Sequence, residues 1–416
     1  MSYDSYENKN SNIEYASFYQ MEHIQKSIFE YEKGAKMSKY KVCVYAVCKD
    51  EEQFVHRFMA NLKEADMVII GDTGSTDKTV QKFKENGAIV YEIPIKPWRF
   101  DKARNELLKF IPEDVDICVA LDVDEVINVG WREALEEVWQ PNSCLGRYQY
   151  IWSFNPDGSP AVQFVQHRIH ARKNYHWIYP THEVLEYTGK GKAEDVFIPG
   201  LVVEHYPDKS KDRSFNVELL ELAMKEFPND IRNLHYLGRE YMFVNRYDDA
   251  ILTLKKYLNH PLSEWSEERS ASMRFIGRSY DAKGDYLQAK AWMLKAIAEI
   301  PYIRDAYIEL AFLAYGKQDW NTVYYAVTDA LKIKELNTLG YPSDPRGWNS
   351  DIYDLGSLAC INLGLVDSAI EYAKQAARLS PEDERIKNNI IFMEQEKEMQ
   401  EDRIWEAVNQ RKKEKD

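Results

Sequence analysis

Ile117-Cys118-Val119-Ala120-Leu121-Asp122-Val123-Asp124-Glu125 decides how the first half of this chain is read. Five apolar residues, too few for a helix, run straight into three carboxylates. That pattern predicts a buried strand ending in a polar loop. Upstream, the apolar runs 40–47 (YKVCVYAV), 67–71 (MVIIG) and 88–93 (AIVYEI) alternate with segments of helical character such as 51–63. Short buried strands separated by helices predict a mostly parallel α/β sheet, with ligands at the carboxyl ends of its strands. The loops at 49–52, 72–77 and 122–125 are therefore the expected working parts. Asp72-Thr73-Gly74-Ser75-Thr76-Asp77 is turn chemistry: Gly74 permits a tight turn, and Ser75, Thr76 or Asp77 can cap a helix starting near Lys78.

Three carboxylates at one strand end repel one another, and a divalent cation is the expected compensator. Oxygen ligands suit Mg2+ or Mn2+, which keep positions open for phosphate oxygens. A solvated loop whose acids cap the next element is the plainer reading of the same residues.

From about residue 210 the period changes. Ala289, Ala296 and Pro301 stand seven and five residues apart, and Ala369, Ala376 and Pro381 repeat those intervals. Val323 with Ala330, and Ala250 with Tyr257, keep the first interval. Leu237-Gly238-x-x-Tyr241 and Ile276-Gly277-x-x-Tyr280 precede two of these units, and Gly277 lies 34 residues before Ala311. The pattern over residues 215–381 resembles the tetratricopeptide repeat, with about four units and a half unit in front. Ala311 and Ser357 stand where glycine is expected, and Glu335 where proline is usual. The segments 260–268 and 337–349 are expected to be loops. Four regions result: a leader helix in 1–37 (Met21, Ile24, Ile28 and Tyr31 at helical spacing), a catalytic unit over 38–208, repeats over 209–381, and a charged cap helix and tail over 382–416, frayed at QRKKEKD.

In the first half, Cys48-Lys49-Asp50-Glu51-Glu52, MVIIGDTGSTDKTV, Arg104-Asn105 and LDVDE, in that order, resemble a family 2 glycosyltransferase of the GT-A fold. The resemblance covers residues 40–207. It implies that Asp122 and Asp124 bind the metal bridging a nucleotide-sugar diphosphate, Mn2+ or Mg2+, with Asp124 the direct ligand. It also implies that Asp72, with Asp50 and Glu51, contacts the nucleotide, and that Arg104 faces nucleotide or phosphate, with Asp101 a further candidate. Trp177-Ile178-Tyr179-Pro180-Thr181-His182-Glu183 then offers an aromatic wall and Glu183 as the base of an inverting transfer. His205, in LVVEHY, is similar to the histidine that completes the metal shell, and His182 competes for that role. Gln166-His167-Arg168 is expected at the cleft. No Gln-x-x-Arg-Trp motif and no membrane helix follow, so a processive polysaccharide synthase is not expected.

A GT-A domain followed by helical repeats is similar to soluble bacterial transferases that glycosylate peptides, such as the cysteine S-glycosyltransferases of bacteriocins. The implied donor is a nucleotide sugar, with a UDP-sugar favoured. The implied acceptor is a peptide or protein side chain presented by the repeats, which offer a dimerisation surface as well. A lipopolysaccharide-core or other surface glycan is the alternative acceptor, and a non-catalytic repeat scaffold is the alternative of another class. A glycoside hydrolase is disfavoured because Asp122 and Asp124 sit together instead of flanking a bond.

Composition bounds these readings. The 416 residues are 44% hydrophobic and 29% charged, ordinary for globular proteins. A net charge of −14 argues against a nucleic-acid partner. No apolar run approaches the ~20 residues of a membrane span. The polar N-terminus does not look like a signal peptide, so a cytoplasmic location is expected. Five scattered cysteines without a CxxC pair predict free thiols.

Overall fold

The computed structural model describes residues 38–155, 157–208, 215–337 and 340–413. The leader helix expected in 1–37 and the junction at 209–214 lie outside them. The four predicted strands are present as β1 (Val42–Cys48), β2 (Met67–Asp72), β3 (Ile89–Glu92) and β4 (Ile117–Ala120). They are parallel neighbours in the order β3-β2-β1-β4. The helices between them are α1 (Val55–Ala60), α2 (Thr79–Glu85) and α3 (Phe100–Leu108).

The sheet does not stay parallel. It continues through β7 (Pro160–Ala171), β6 (Ser143–Phe154), β10 (Glu194–His205) and β5 (Glu125–Ile127), giving an eight-stranded mixed sheet. Strand β7 is antiparallel to β4 and β6, and β5 is antiparallel to β10. Among the described residues four of the seven neighbouring pairs are parallel, β6 with β10 among them, so the sheet expected to be mostly parallel is mixed. In β6, Arg147 and Gln149 alternate with the inward-facing Gly146, Tyr148 and Tyr150. Period-two strands can pair antiparallel with one face less covered, whereas the continuous apolar runs of β1 and β4 need cover on both faces. Helix α4 (Trp131–Val138) and a small hairpin of β8 (Tyr175–Ile178) with β9 (Val184–Tyr187) complete this half.

Alternation along β1 divides the core. Val42, Val44 and Ala46 face one side, with Phe58, Phe83, Trp131 and Leu135 from α1, α2 and α4. Cys43 and Tyr45 face the other, with Ala103 and Leu107 of α3 and with Trp177. None of the five cysteines is in a disulfide.

The second half is helical from α5 (Asn216–Glu226) onward. Helix pairs follow: α6 (Ile231–Phe243) with α7 (Tyr247–Leu258), α8 (Ser266–Ala282) with α9 (Tyr286–Glu299), α10 (Asp305–Tyr315) with α11 (Trp320–Ala330), and α12 (Ser350–Asn362) with α13 (Val366–Leu379). Asp230, Asp285, Asp319 and Asn349 cap helices by accepting from backbone N–H groups of the first turn. The small residues singled out by their spacing, Ala250, Ala289, Ala296, Val323, Ala330, Ala369 and Ala376, are all fully buried. Glycine permits the closest approach: a Cβ on Gly238 would lie 2.5 Å from Leu254 Cγ. Two expected boundaries move. Helix α8 begins at Ser266, inside the 260–268 segment read as loop, and the final helix α14 (Glu384–Lys413) runs on through part of the tail read as frayed.

Candidate active site

The loop after β4 is where the structure gathers charge, and the pairing of distant strands does the gathering. On β7, Ile169 lies opposite Val119, so Arg168 comes beside the carboxyl end of β4. On β10, His205 lies opposite Glu125, and the Tyr206 N–H donates to the Asp124 carbonyl at 2.9 Å. Helix α3 contributes Arg104. Its neighbour Asn105 exchanges hydrogen bonds of 2.7 and 2.8 Å with the Trp177 backbone, tying α3 to β8 and to the turn that bears Glu183.

Arg104 is 2% exposed and stands at the centre. Its Nε donates to Glu183 Oε1 at 2.7 Å and its Nη2 to Asp122 Oδ1 at 2.6 Å. The guanidinium lies 4.9 Å from the centre of the Trp177 ring. Arg168 Nη1 takes the other oxygen of Asp122 at 2.6 Å. The compensating charge for Asp122 is supplied here by two arginines, where a cation was expected. Desolvation works against the Asp122 charge, yet Arg168 and then Arg104 hold its carboxyl well below the usual range. Glu125 does not face a ligand either. It is buried, accepts from Tyr150 Oη and from its own loop's Asp122 N–H, each at 2.8 Å, and burial with the nearby Asp122 charge pushes its carboxyl up to about 7.

Asp124 Oδ2 is 3.3 Å from His205 Nε2. Burial disfavours a charged His205, but the bond to Asp124 outweighs it and raises the imidazole pKa. These two side chains could share a cation. Among the described residues no group of three or more His, Cys, Asp or Glu side chains gathers as a metal site.

The loops after β1 and β2 are laced to each other. Asp72 folds back onto its own turn, accepting from Gly74 N at 3.0 Å and Ser75 N at 3.1 Å, with Gly74 at φ +110°. Asp50 accepts from Thr76 N at 2.7 Å, and the Asp50 and Glu51 N–H groups donate to Ser75 Oγ and Thr79 Oγ1. Of the acids expected to meet a nucleotide, Asp72 and Asp50 hold the loop framework with their carboxylates, and Glu51 does so through its backbone N–H. Asp72 stays near Asp122 in topology, since β1 alone separates their strands.

Three other expected residues are engaged elsewhere. Asp101 is gripped by Arg99 at 2.6 and 2.7 Å, and Arg99 also grips Glu226 of α5, so this acid serves the junction with the helices. Trp177 is buried in the core and donates to Tyr45 Oη at 2.8 Å; it supports Arg104 and is no wall for an acceptor. His182 turns away from Asp124. Its ring stacks on Tyr236 of α6 at 4.3 Å, and its Nε2 is 3.3 Å from Arg239. Burial, Arg239 and Arg232 keep it neutral, and of the two histidines it is His205 that lies against Asp124.

The residue missed by sequence reading is Arg57 on α1. Its guanidinium stacks 4.6 Å from the Tyr206 ring, and its Nε and Nη2 are buried with no hydrogen-bond partner among the described residues. Arg104 Nη1 is in the same condition. No motif marks Arg57; a helix-surface arginine is what its sequence suggests.

The tetratricopeptide repeat family matches residues 275–301 and 352–383. No curated protein matches the chain. Among solved structures, MamA is similar over 43% of this chain and 99% of its own, at 22% identity and a TM-score of 0.33. PilW, a type IV pilus biogenesis factor, is similar over 41% of this chain and 72% of its own, at 18% identity and a TM-score of 0.34. YrrB, described as a repeat protein with an unusual peptide-binding site, covers 44% and 85% at 16% identity and a TM-score of 0.35. No helix among the described residues is long and apolar enough to cross a membrane. The α8–α9 and α12–α13 pairs are tetratricopeptide repeats, carried behind a mixed-sheet domain.

Proposed function

We propose that the chain is a glycosyltransferase that moves a sugar from a nucleotide-diphosphate donor, a UDP-sugar by preference, to a peptide or protein side chain. The observation that carries this reading is that two arginines beside the Asp122–Glu125 segment keep buried N–H groups without a partner among the described residues, Arg57 at Nε and Nη2 and Arg104 at Nη1. A buried N–H left without an acceptor costs about 1–3 kcal/mol, and a diphosphate would relieve both. The resemblance of the ordered motifs supports the same donor.

In this reading Arg57 and Arg104 bind the phosphate oxygens and favour the charge that develops as the diphosphate leaves. Asp124 and His205 would hold Mn2+ or Mg2+, which supplies Lewis-acid stabilisation to that leaving group. Glu183 takes the proton of the acceptor as the new bond forms to the anomeric carbon and the bond to phosphate breaks on the opposite face, which inverts it. Arg104 orients Glu183 by fixing one carboxylate oxygen. The contact of His182 with α6 brings the repeats up to this turn, which favours a polypeptide acceptor over a surface glycan. The repeat match favours a second reading, a scaffold whose sheet domain binds no donor.

Incubating the full chain with nucleotide sugars and Mn2+ and detecting released diphosphate separates the two. We expect turnover that Asp124→Asn abolishes without changing the circular dichroism. Absence of both turnover and Mn2+-dependent nucleotide binding in the wild type would leave the scaffold.

A further inference from the structure

Glu183 ends the short turn, residues 179–183, that joins β8 to β9. Among the described residues these two strands form a sheet of their own, separate from the main one. A two-stranded hairpin is marginal by itself, so its surroundings must fix its turn. The backbone there is also unusual. Tyr179 has φ +75° and His182 φ +50°, in the left-handed region that residues other than glycine seldom occupy. Such a conformation persists only where neighbours over-determine it.

From the sheet domain, the Phe100 N–H at the start of α3 donates to the Pro180 carbonyl at 2.9 Å. From the helices, Asp230, the cap of α6, accepts from Tyr179 Oη, and Phe227 packs edge-on to the Tyr179 ring at 4.9 Å. Arg232, in the first turn of α6, donates from Nη1 to the His182 carbonyl at 2.7 Å. Its guanidinium lies 4.6 Å from the centre of the Tyr236 ring, the same ring on which the His182 imidazole stacks. Both left-handed residues are therefore pinned from the helical half of the chain.

The His182 carbonyl belongs to the planar peptide that joins His182 to Glu183. A hydrogen bond to that oxygen fixes the rotation of the plane, and with it the direction in which the Glu183 side chain leaves the backbone. Glu183 is 7% exposed and meets Arg104 Nε at 2.7 Å, so a turned plane would carry it off its partner.

We infer that Arg232 is a positioning residue for Glu183: from α6 it sets the peptide plane that aims this carboxylate into the cleft, which makes the docked first helix pair a part of the site. The inference rests on the reading of Glu183 as the base of sugar transfer, and adds that the base is aligned from outside the sheet domain.

The test uses the full chain with Mn2+ and UDP-sugars. A misplacement of about 1 Å costs about 100-fold in rate, so Arg232→Ala should lower kcat for UDP release at least about tenfold. Binding of UDP with Mn2+, measured by calorimetry, should stay at the wild-type value, because Arg232 acts on Glu183 and not on the donor. Glu226→Gln is the control: it weakens the Arg99–Glu226 pair at the same junction without touching His182, and should keep the wild-type rate. An unchanged kcat in Arg232→Ala, or an equal loss in Glu226→Gln, overturns the inference. A wild type that turns over no UDP-sugar refutes the sugar-transfer reading instead, and hydrogen exchange then decides the hold on the turn. Exchange over residues 179–187 must quicken in Arg232→Ala and not in Glu226→Gln, at unchanged helix content. No quickening overturns the inference as well.

Discussion

Replacing Arg104 with Met tests whether the site is organised around one guanidinium. The side chain is 2% exposed and serves two carboxylates. Removing one member of a buried ion pair costs about 3–5 kcal/mol. Asp122 accounts for little of that here, because its side chain is 40% exposed and Arg168 still holds its second oxygen. Glu183 is 7% exposed and loses its only ion-pair partner among the described residues, so most of the cost falls on it. We expect a loss near the lower end, about 3 kcal/mol, or roughly 6–12 °C in the unfolding transition of a unit this size. Arg104→Lys should not rescue it, since one ammonium cannot reproduce a fork that reaches two acids. Arg104→Met combined with Glu183→Gln should recover at least about 1 kcal/mol, because the orphaned charge is gone. The folded pKa of Asp122 is depressed, so its contribution is present above the unfolded carboxyl value and lost as pH falls. Only the small share of the gap between wild type and Arg104→Met that Asp122 carries should accordingly narrow in acid. Calorimetry of the four proteins of the cycle measures this. A loss under about 1 kcal/mol, or a double variant no more stable than Arg104→Met, would refute the reasoning.

Glu125 gives a pH prediction of opposite sign. Its folded pKa is raised from 4.5 to about 7, so the native state is favoured at low pH and loses stability as pH rises through that window. Glu125→Gln should flatten a slope of roughly 2 kcal/mol, read as urea midpoints at pH 5 and pH 8. Gly238→Ala should destabilise the repeats by about 1–3 kcal/mol, because the added methyl would sit 2.5 Å from Leu254 Cγ. Gly316→Ala serves as the control: its nearest atom would be 3.7 Å away and its φ is −60°, so the melting temperature should hold or rise slightly.

Strands β1 to β4, the turn at Asp72–Asp77 and the helix pairs were all legible in the order of residues. Each is local: a continuous apolar run, a glycine-bearing turn, or small residues at a fixed interval that let helices touch. The break at Asp122 was legible too, since a charged residue ends the apolar run of β4; that Glu125 re-enters the same sheet as the buried first residue of β5 was not. What those carboxylates do came only with the packed chain. Arg168 reaches Asp122 only because β7 pairs antiparallel with β4, and His205 reaches Asp124 only because β10 pairs with β5. Such registers join residues dozens of positions apart, and no local propensity encodes them. The same holds for His182, drawn to Tyr236 by the docking of the repeats. The residue types that carry charge could be read in order; which charge answers which was settled by packing, where a buried ion must find its counter-ion or bear the full cost of desolvation.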